Sequence, residues 1–379
     1  MDDLPNKRPH ILFLFSDTGG GHRSATQAII EALQLEFDDR ITTQMVDIFL
    51  DFAPPPLKYF PKWYPFMVRF PEFWGVGYKL SNGSRRASLV VKSAYPYVRR
   101  SLRKLINQNP ADMIVSVHPL ANEAFLHALG EQHAPFITVV TDLVTTHALW
   151  YHKDVDVCLV PTEAARQRGL LAGLKPEQVK VVGLPVADRF CQPVGDKKAL
   201  RQQLGWNPEQ PVVLLVGGGE GMGPLEKTAL AIAETNLPIT LVVVAGRKVD
   251  LKQRLESRKW PITTIIYGFI HEMPDFMRAA DILVTKAGPG TISEALIAWL
   301  PMILYSRLPG QEDGNVDFVI SEGVGVWAPK TSEIKSTLQA WVNYPELRQR
   351  IADACCQAAR PQAARETARI LANRLGIFN

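Results

Sequence analysis

Residues 16–24 read Ser-Asp-Thr-Gly-Gly-Gly-His-Arg-Ser, directly after the apolar run Ile11 to Phe15 and before a stretch with apolar Ala25, Ala28, Ile29, Ala32 and Leu33. A strand, a glycine turn and a helix in that order bring backbone N–H groups and a helix N-terminus within reach of another molecule, here at Gly20 and Gly21. An acid, Asp17, and a histidine, His22, flank the glycines. An imidazole is largely neutral at pH 7, so at such a turn it can serve as a general base, with Asp17 in the same loop. The bland alternative is a histidine hydrogen-bonded as a helix cap.

Two further turns are glycine-rich. Gly217 to Pro224 follows the run PVVLLV and includes Gly219, Glu220, Gly221, Met222 and Gly223; Lys286 to Thr291 follows DILVT and precedes a helical pattern from Ile292 to Trp299. Both offer N–H groups and a helix dipole to a diphosphate, and Thr291 adds a hydroxyl. Neither ends in Gly-Lys-Ser/Thr, as a Walker loop must. Gly288-x-Gly290-x-x-Ser293 stops one residue short of the dinucleotide fingerprint, and PGQEDGN stands where the acid after the second strand is expected. An NAD-linked oxidoreductase rests on that degenerate match alone. Glu294 could receive a ribose diol and Gln311 with Glu312 could read sugar hydroxyls, so the set suggests a nucleotide-sugar pocket.

The elements that must position these residues follow from an alternation of short β-rich apolar runs with helical patterns, which predicts α/β architecture with parallel sheets. Strands are expected at 11–15, 42–47, 113–117, 136–140, 157–160 and 180–182, then at 212–216, 239–245, 263–267, 282–285, 302–305 and 325–328. The two series predict two doubly wound domains facing one another across a cleft. A linker falls near 187–197, and a run from Pro345, broken at Pro361, gives two C-terminal helices. The boundaries are 1–190 and 198–360, with 361–379 packing back on the first domain. In such sheets ligands bind outside the carboxyl ends of the strands, where all three glycine turns lie.

With 379 residues, 46% of them hydrophobic, each domain can bury a core of its own. Cys158, Cys191, Cys355 and Cys356 show no metal-ligand spacing and read as thiols of a reducing compartment. The first apolar run is too short for a signal peptide, and no stretch approaches the roughly 20 apolar residues of a membrane span. The expected location is therefore the cytoplasmic side, with any membrane contact peripheral.

Between 57 and 104 the chain concentrates eleven Lys or Arg, eleven aromatic residues and a single acid, Glu72. That segment carries +10 of a chain whose formal charge is +4, so the remainder is net −6. It interrupts the alternation as an insertion, 52–104, too polar and Pro-rich for core, although Ser88 to Lys104 could be a helix. Lys62, Trp63, Tyr64, Arg69, Phe73, Trp74, Arg85 and Arg86 give it the character of a surface for anionic membrane. Basic-aromatic stretches also grip single-stranded nucleic acid, and charge runs are often merely solvated.

The sequence resembles the monogalactosyldiacylglycerol synthases and the related bacterial diacylglycerol glucosyltransferases. The stretches that carry the resemblance are DTGGGHRSATQAI, SVHP, TDLVTTHALWYHK followed by PTE, VGLPV, VGGGEGMGP, VVVAGR, KAGPGTISEAL and LPMILYSRLPGQEDGNV, in family order, with ARP near the C-terminus. It is more distantly similar to the peptidoglycan enzyme that places N-acetylglucosamine on a lipid-linked precursor. The resemblance implies two Rossmann-like domains of the GT-B type, the first for a lipid acceptor and the second for a UDP-sugar. It implies inverting transfer of a hexose, galactose ahead of glucose, to diacylglycerol, with His22 as base and Asp17 beside it. Arg247, Phe269, Ile270, Lys286, Gly288, Gly290, Thr291, Glu294, Gln311, Glu312 and Asn315 fall on the donor side, and His118, Asp142, His147 and His152 on the acceptor side. No cofactor and no metal motif accompany them, and the implied partners are a UDP-hexose, diacylglycerol and an anionic phospholipid surface, not nucleic acid. Transfer of N-acetylglucosamine to a polyprenyl diphosphate, or a non-catalytic membrane-bound sensor of nucleotide sugars, stands as the alternative.

Overall fold

The computed structural model describes residues 8–378 apart from Gly19, Arg69, Gln132 and 219–222, and leaves aside the side chains of Pro65, Pro71, Ser84 and Arg85. The expected contributions of Arg69, Arg85, Gly219, Glu220, Gly221 and Met222 therefore lie outside the described residues. The chain forms two compact units, one of residues up to 188 with 309–311 and 362–379, the other of 189–308 with 312–361.

In the first unit β1 (His10–Phe15), β2 (Thr42–Asp47), β3 (Met113–Ser116), β4 (Phe136–Val139), β5 (Val157–Val160) and β6 (Val179–Val181) form a parallel sheet in the order β2-β1-β3-β4-β5-β6. In register, Ile11 to Leu14 lie beside Met113 to Ser116. The helices are α1 (Gly21–Phe37), α2 (Phe60–Met67), α3 (Pro71–Ser81), α4 (Ser84–Gln108), α5 (Asn122–Leu129) and α6 (Glu163–Leu171).

The second unit holds α7 (Lys197–Gln203), β7 (Val212–Val216), α8 (Leu225–Ala233), β8 (Thr240–Val244), α9 (Val249–Glu256), β9 (Thr264–Tyr267), α10 (Met273–Ala279), β10 (Ile282–Lys286), α11 (Pro289–Ile297), β11 (Met302–Ser306), α12 (Asp313–Ser321), β12 (Gly325–Trp327), α13 (Thr331–Asn343) and α14 (Pro345–Ala358). Its parallel sheet runs β12-β11-β10-β7-β8-β9. These are two Rossmann-like domains, and the expected strands are observed to within a residue or two. Their central strands are continuous apolar runs because helices cover both faces.

The last helix, α15 (Ala363–Arg374), belongs to the first unit and packs on α1. Ala25, Ala28, Ile29 and Ala32 share one core with Ala364, Ala368, Leu371 and Ala372. The small side chains of both helices allow the close approach, and Arg365 and Arg369 both pair with the buried Glu36.

The insertion departs from its expectation. It is helical through α2, α3 and α4, and α4 runs from 84 to 108 with Pro96 inside it rather than from 88 to 104. Nor is it excluded from the core: Leu102 and Leu105 are buried, and Val91, Tyr95, Val98 and Ile106 pack beside them. Those positions recur at helical spacing, so α4 is amphipathic, with an apolar face inward and Lys92, Arg99, Arg103 and Lys104 outward.

Candidate active site

The strand order of the first sheet reverses between β1 and β3, so a crevice opens where the loops after those two strands diverge. The β1 loop ends at Gly20, whose φ of 80° caps α1 in the left-handed region, and Gly21 and His22 begin the helix. His22 is half-buried and is not a cap: its Nδ1 lies 2.8 Å from Thr141 Oγ1 on the loop after β4. Burial lowers its pKa to about 4, opposed by the backbone carbonyl of Val117. Its ring packs edge-on to His118, centroids 4.6 Å apart, and 5.9 Å from Trp150.

His118, after β3, is buried and caps a short turn, its Nδ1 accepting the Leu120 N–H at 3.3 Å. Nε2 must then carry the proton, which it offers to Thr18 Oγ1 at 3.3 Å. Burial and the neighbouring His22 hold its pKa well below the ordinary value. Two neutral imidazoles thus meet at the carboxyl ends of adjacent strands.

The acids are arranged otherwise. Asp17 turns its carboxylate to Arg23 at 3.1 Å, about two-fifths exposed, while its N–H donates to buried Asp47. Asp47, which the sequence did not single out, also accepts from Phe49 and Leu50 N–H at 2.9 and 3.0 Å, fixing the loops at the ends of β1 and β2. Asp142 is buried and accepts the Trp150 indole N–H at 2.7 Å, which holds that ring near His22. His147 caps the turn Ala148–Trp150 and meets Ser81 Oγ at 3.2 Å. Burial, then Arg168, lowers its pKa to about 4. His152 accepts the Asp154 N–H at 3.4 Å.

In the second sheet the order reverses between β7 and β10, and the two remaining glycine turns follow those strands. Gly223, at φ +84°, ends the first turn, and an added Cβ would come within 3.0 Å of Ser306 Oγ and 3.1 Å of the Tyr305 ring. After β10, Gly288 caps α11, with Gly290 and Thr291 in its first turn. Lys286 Nζ and Glu312 Oε1 are 2.6 Å apart, and Glu312 Oε2 accepts the Leu308 N–H at 2.8 Å. Glu312 is only 3% exposed, and each of its carboxylate oxygens has one of these partners. Asn315 Nδ2 donates to the Ala287 carbonyl at 2.9 Å; the buried Asn315 Oδ1 and Gln311 Oε1 have no hydrogen-bond partner among the described residues.

Glu294, on α11, is half-buried, and desolvation raises its pKa to about 8 against the pull of Arg189. Phe269 is exposed beside Ile270 after β9, with the Arg247 guanidinium 4.4 Å over its ring.

Among its described residues the insertion presents ten large exposed apolar side chains, including Tyr59, Trp63, Phe66, Phe70, Phe73, Val76 and Leu80. Phe73 is 82% exposed, and Phe73, Val76 and Leu80 form one stripe of α3. Lys62 and Arg86 are exposed with them. Tyr64 and Trp74, expected on that surface, are instead half-buried and pack edge-to-face at 5.3 Å, because helical spacing turns them from the stripe. Tyr78 ties α3 to the β4–β5 loop through its hydroxyl on the Thr145 carbonyl at 2.9 Å. Among the described residues no helix is long and apolar enough to cross a membrane, and no three His, Cys, Asp or Glu gather as metal ligands would.

Two Rossmann-like domains, each with a furnished switch point, place the chain in the GT-B fold class. The MurG structure of Acinetobacter baumannii shares the fold (TM-score 0.62, 16% identity, 96% of this chain and 99% of that one), as does UDP-GlcNAc 2-epimerase from Neisseria meningitidis (TM-score 0.59, 16% identity, 97% and 99%). Because an epimerase shares it, the fold alone does not fix the activity. The family description "Monogalactosyldiacylglycerol (MGDG) synthase" matches residues 22–186, and "Glycosyltransferase family 28 C-terminal domain" matches 212–334. A probable monogalactosyldiacylglycerol synthase 2 of Oryza sativa subsp. indica is 40% identical over 348 residues, 88% of this chain and 73% of its own. The chain belongs to the monogalactosyldiacylglycerol synthase family and is a glycosyltransferase.

Proposed function

We propose that the protein transfers a hexose, galactose by preference, from a UDP-hexose to the free hydroxyl of 1,2-diacylglycerol, giving a β-glycosyl-diacylglycerol without metal or other cofactor. His22 carries the reading: a neutral imidazole, braced through Nδ1 and partly accessible, in a chain whose relatives are named for this product. The acceptor oxygen attacks the anomeric carbon opposite the diphosphate; that carbon's bond to the β-phosphate oxygen breaks, and the electron pair leaves on UDP. The hydroxyl proton passes to His22 Nε2, which is vacant when Nδ1–H donates to Thr141. Displacement from the opposite side turns an α-linked donor into a β-glycoside. Backbone N–H groups after β7 and at the head of α11 stabilise the charge on the leaving diphosphate. Glu294 receives the ribose, and the Phe269–Ile270 loop receives the uracil.

The α2–α3 stripe and the basic residues beside it dock the enzyme peripherally on anionic lipid at the cytoplasmic face, where the acceptor resides. The test is to incubate the protein with anionic vesicles containing diacylglycerol and UDP-galactose or UDP-glucose, in chelator, beside His22→Ala. A β-hexosyl-diacylglycerol made from one donor and lost in the variant is expected. No product from either donor, or sugar appearing only on a polyprenyl diphosphate supplied in parallel, overturns the reading.

A further inference from the structure

We infer that Glu312 is a positioning residue for Lys286, and that Lys286, not the glycine loops alone, holds the donor's diphosphate; this rests on the UDP-hexose reading above. Glu312 has little surface to give a sugar, with one oxygen on the Lys286 ammonium at 2.6 Å and the other on the Leu308 N–H at 2.8 Å. Lys286 has surface to give: its side chain is 15% exposed, and an ammonium has three N–H donors, of which Glu312 takes one.

The glycines around it identify its task. A Cβ on Gly218 would stand 3.5 Å from Lys286 Cε, and one on Gly288 would stand 3.1 Å from Nζ. The lysine side chain therefore passes beside Gly218 after β7 and Gly288 after β10, at the switch point of the sheet. A cation there adds a full charge where the two turns supply only partial ones. The floor is braced by Asn315, whose Nδ2 holds the Ala287 carbonyl at 2.9 Å and whose buried Oδ1 has no hydrogen-bond partner among the described residues. Pulling Lys286 off Glu312 would strand a buried carboxylate, so the pair stays intact on binding and the ligand takes the remaining N–H donors.

Calorimetric titration of the full chain with UDP and with uridine separates these roles, since only UDP carries the diphosphate. The expected result is that Lys286→Met weakens UDP about 10- to 100-fold and leaves uridine unchanged. Glu312→Gln weakens UDP in the same sense by about 5- to 10-fold, with Glu312→Asp between it and the parent. UDP affinity unchanged in Lys286→Met, or unchanged or raised in Glu312→Gln, overturns the inference. Equal losses for UDP and uridine overturn it too, since they mark a merely structural role. A parent protein that binds neither overturns the UDP reading along with it.

Discussion

The two switch points occupy the same place in the same fold and are furnished in opposite ways. In the first domain the loops after β1, β3 and β4 bring together His22, His118, Thr18, Thr141 and Trp150, without a carboxylate hydrogen-bonded to either imidazole among the described residues. In the second, the loops after β7 and β10 bring glycine backbone and a lysine. Desolvation keeps the histidines neutral, so the first site suits a proton in transit; N–H groups and an ammonium suit a resident anion. The topology supplies the crevice, and side-chain choice decides whether it handles a proton or a charge.

The harshest break of this comparison is His22→Ala, expected to lower kcat/KM by about 10²- to 10⁴-fold while UDP affinity stays within about twofold. Thr141→Val, which leaves Nδ1 without its partner, should cost about tenfold. Because the base must be unprotonated and its pKa is held at about 4, kcat/KM should stay level from pH 7 to about 5 and fall only below that. An acid limb centred near 6.5 in the pH–rate profile would show that burial does not hold the base's pKa down.

A milder pair of variants asks whether the glycines serve the chain or the ligand. Gly21 begins α1 and Gly290 lies in the first turn of α11, and a Cβ on either meets nothing within 4 Å. Alanine in a helix should then leave Tm unchanged or raise it slightly. If the backbone approaches a diphosphate at Gly290, Gly290→Ala loses about tenfold in UDP affinity while Gly21→Ala keeps it. Equal behaviour of the two variants would erase the distinction between the sites.

The apolar stripe of α3 offers a third contrast, since it is built like a core face but points outward. Phe73→Ser should weaken binding to anionic vesicles about three- to tenfold with no loss of Tm, and salt should weaken the parent's binding in the same direction. Equal vesicle binding by Phe73→Ser and the parent in a sedimentation assay would separate the stripe from the membrane, and salt-insensitive binding would separate the basic residues from it.

Much of this was legible in the sequence, and the part that was not shares one physical origin. Strands such as Val212–Val216 announce themselves by apolar runs between glycine turns, and the glycine turns lie at the carboxyl ends where the doubly wound rule puts ligands. The helices α2 and α3 were hidden because Pro61 and Pro71 read as breakers, yet each stands in a first helical turn, where the missing N–H costs nothing. The partners of the site were hidden because they are remote in sequence. Thr141 is 119 residues from His22, His118 is 100 from Thr18, and no local pattern pairs them. Lys286 and Glu312 could each be singled out, but only the fold shows that they are one unit.

The smallest effect concerns Glu294, whose carboxyl separates burial from function in the second domain. Folding raises its pKa from the ordinary 4.5 to about 8 by desolvation, so between those values the folded protein binds a proton that the unfolded chain has released. Stability from this group is therefore full below about pH 4.5, declines as pH rises, and is lost above about 8. Glu294→Gln removes the penalty: the two proteins should melt together near pH 4.5, and by pH 8, where the full shift sets a ceiling of about 4 kcal/mol, solvent screening at the half-buried carboxyl leaves the variant more stable by about 1–2 kcal/mol, or roughly 3–6 °C in Tm. Saturating UDP should shrink that gap if the ribose hydroxyls satisfy the carboxylate, and widen it if the nucleotide merely covers the residue and drives water away. A gap already open at pH 4.5 would mean that glutamine relieves packing and not charge, leaving Glu294 no part in the difference between the two switch points.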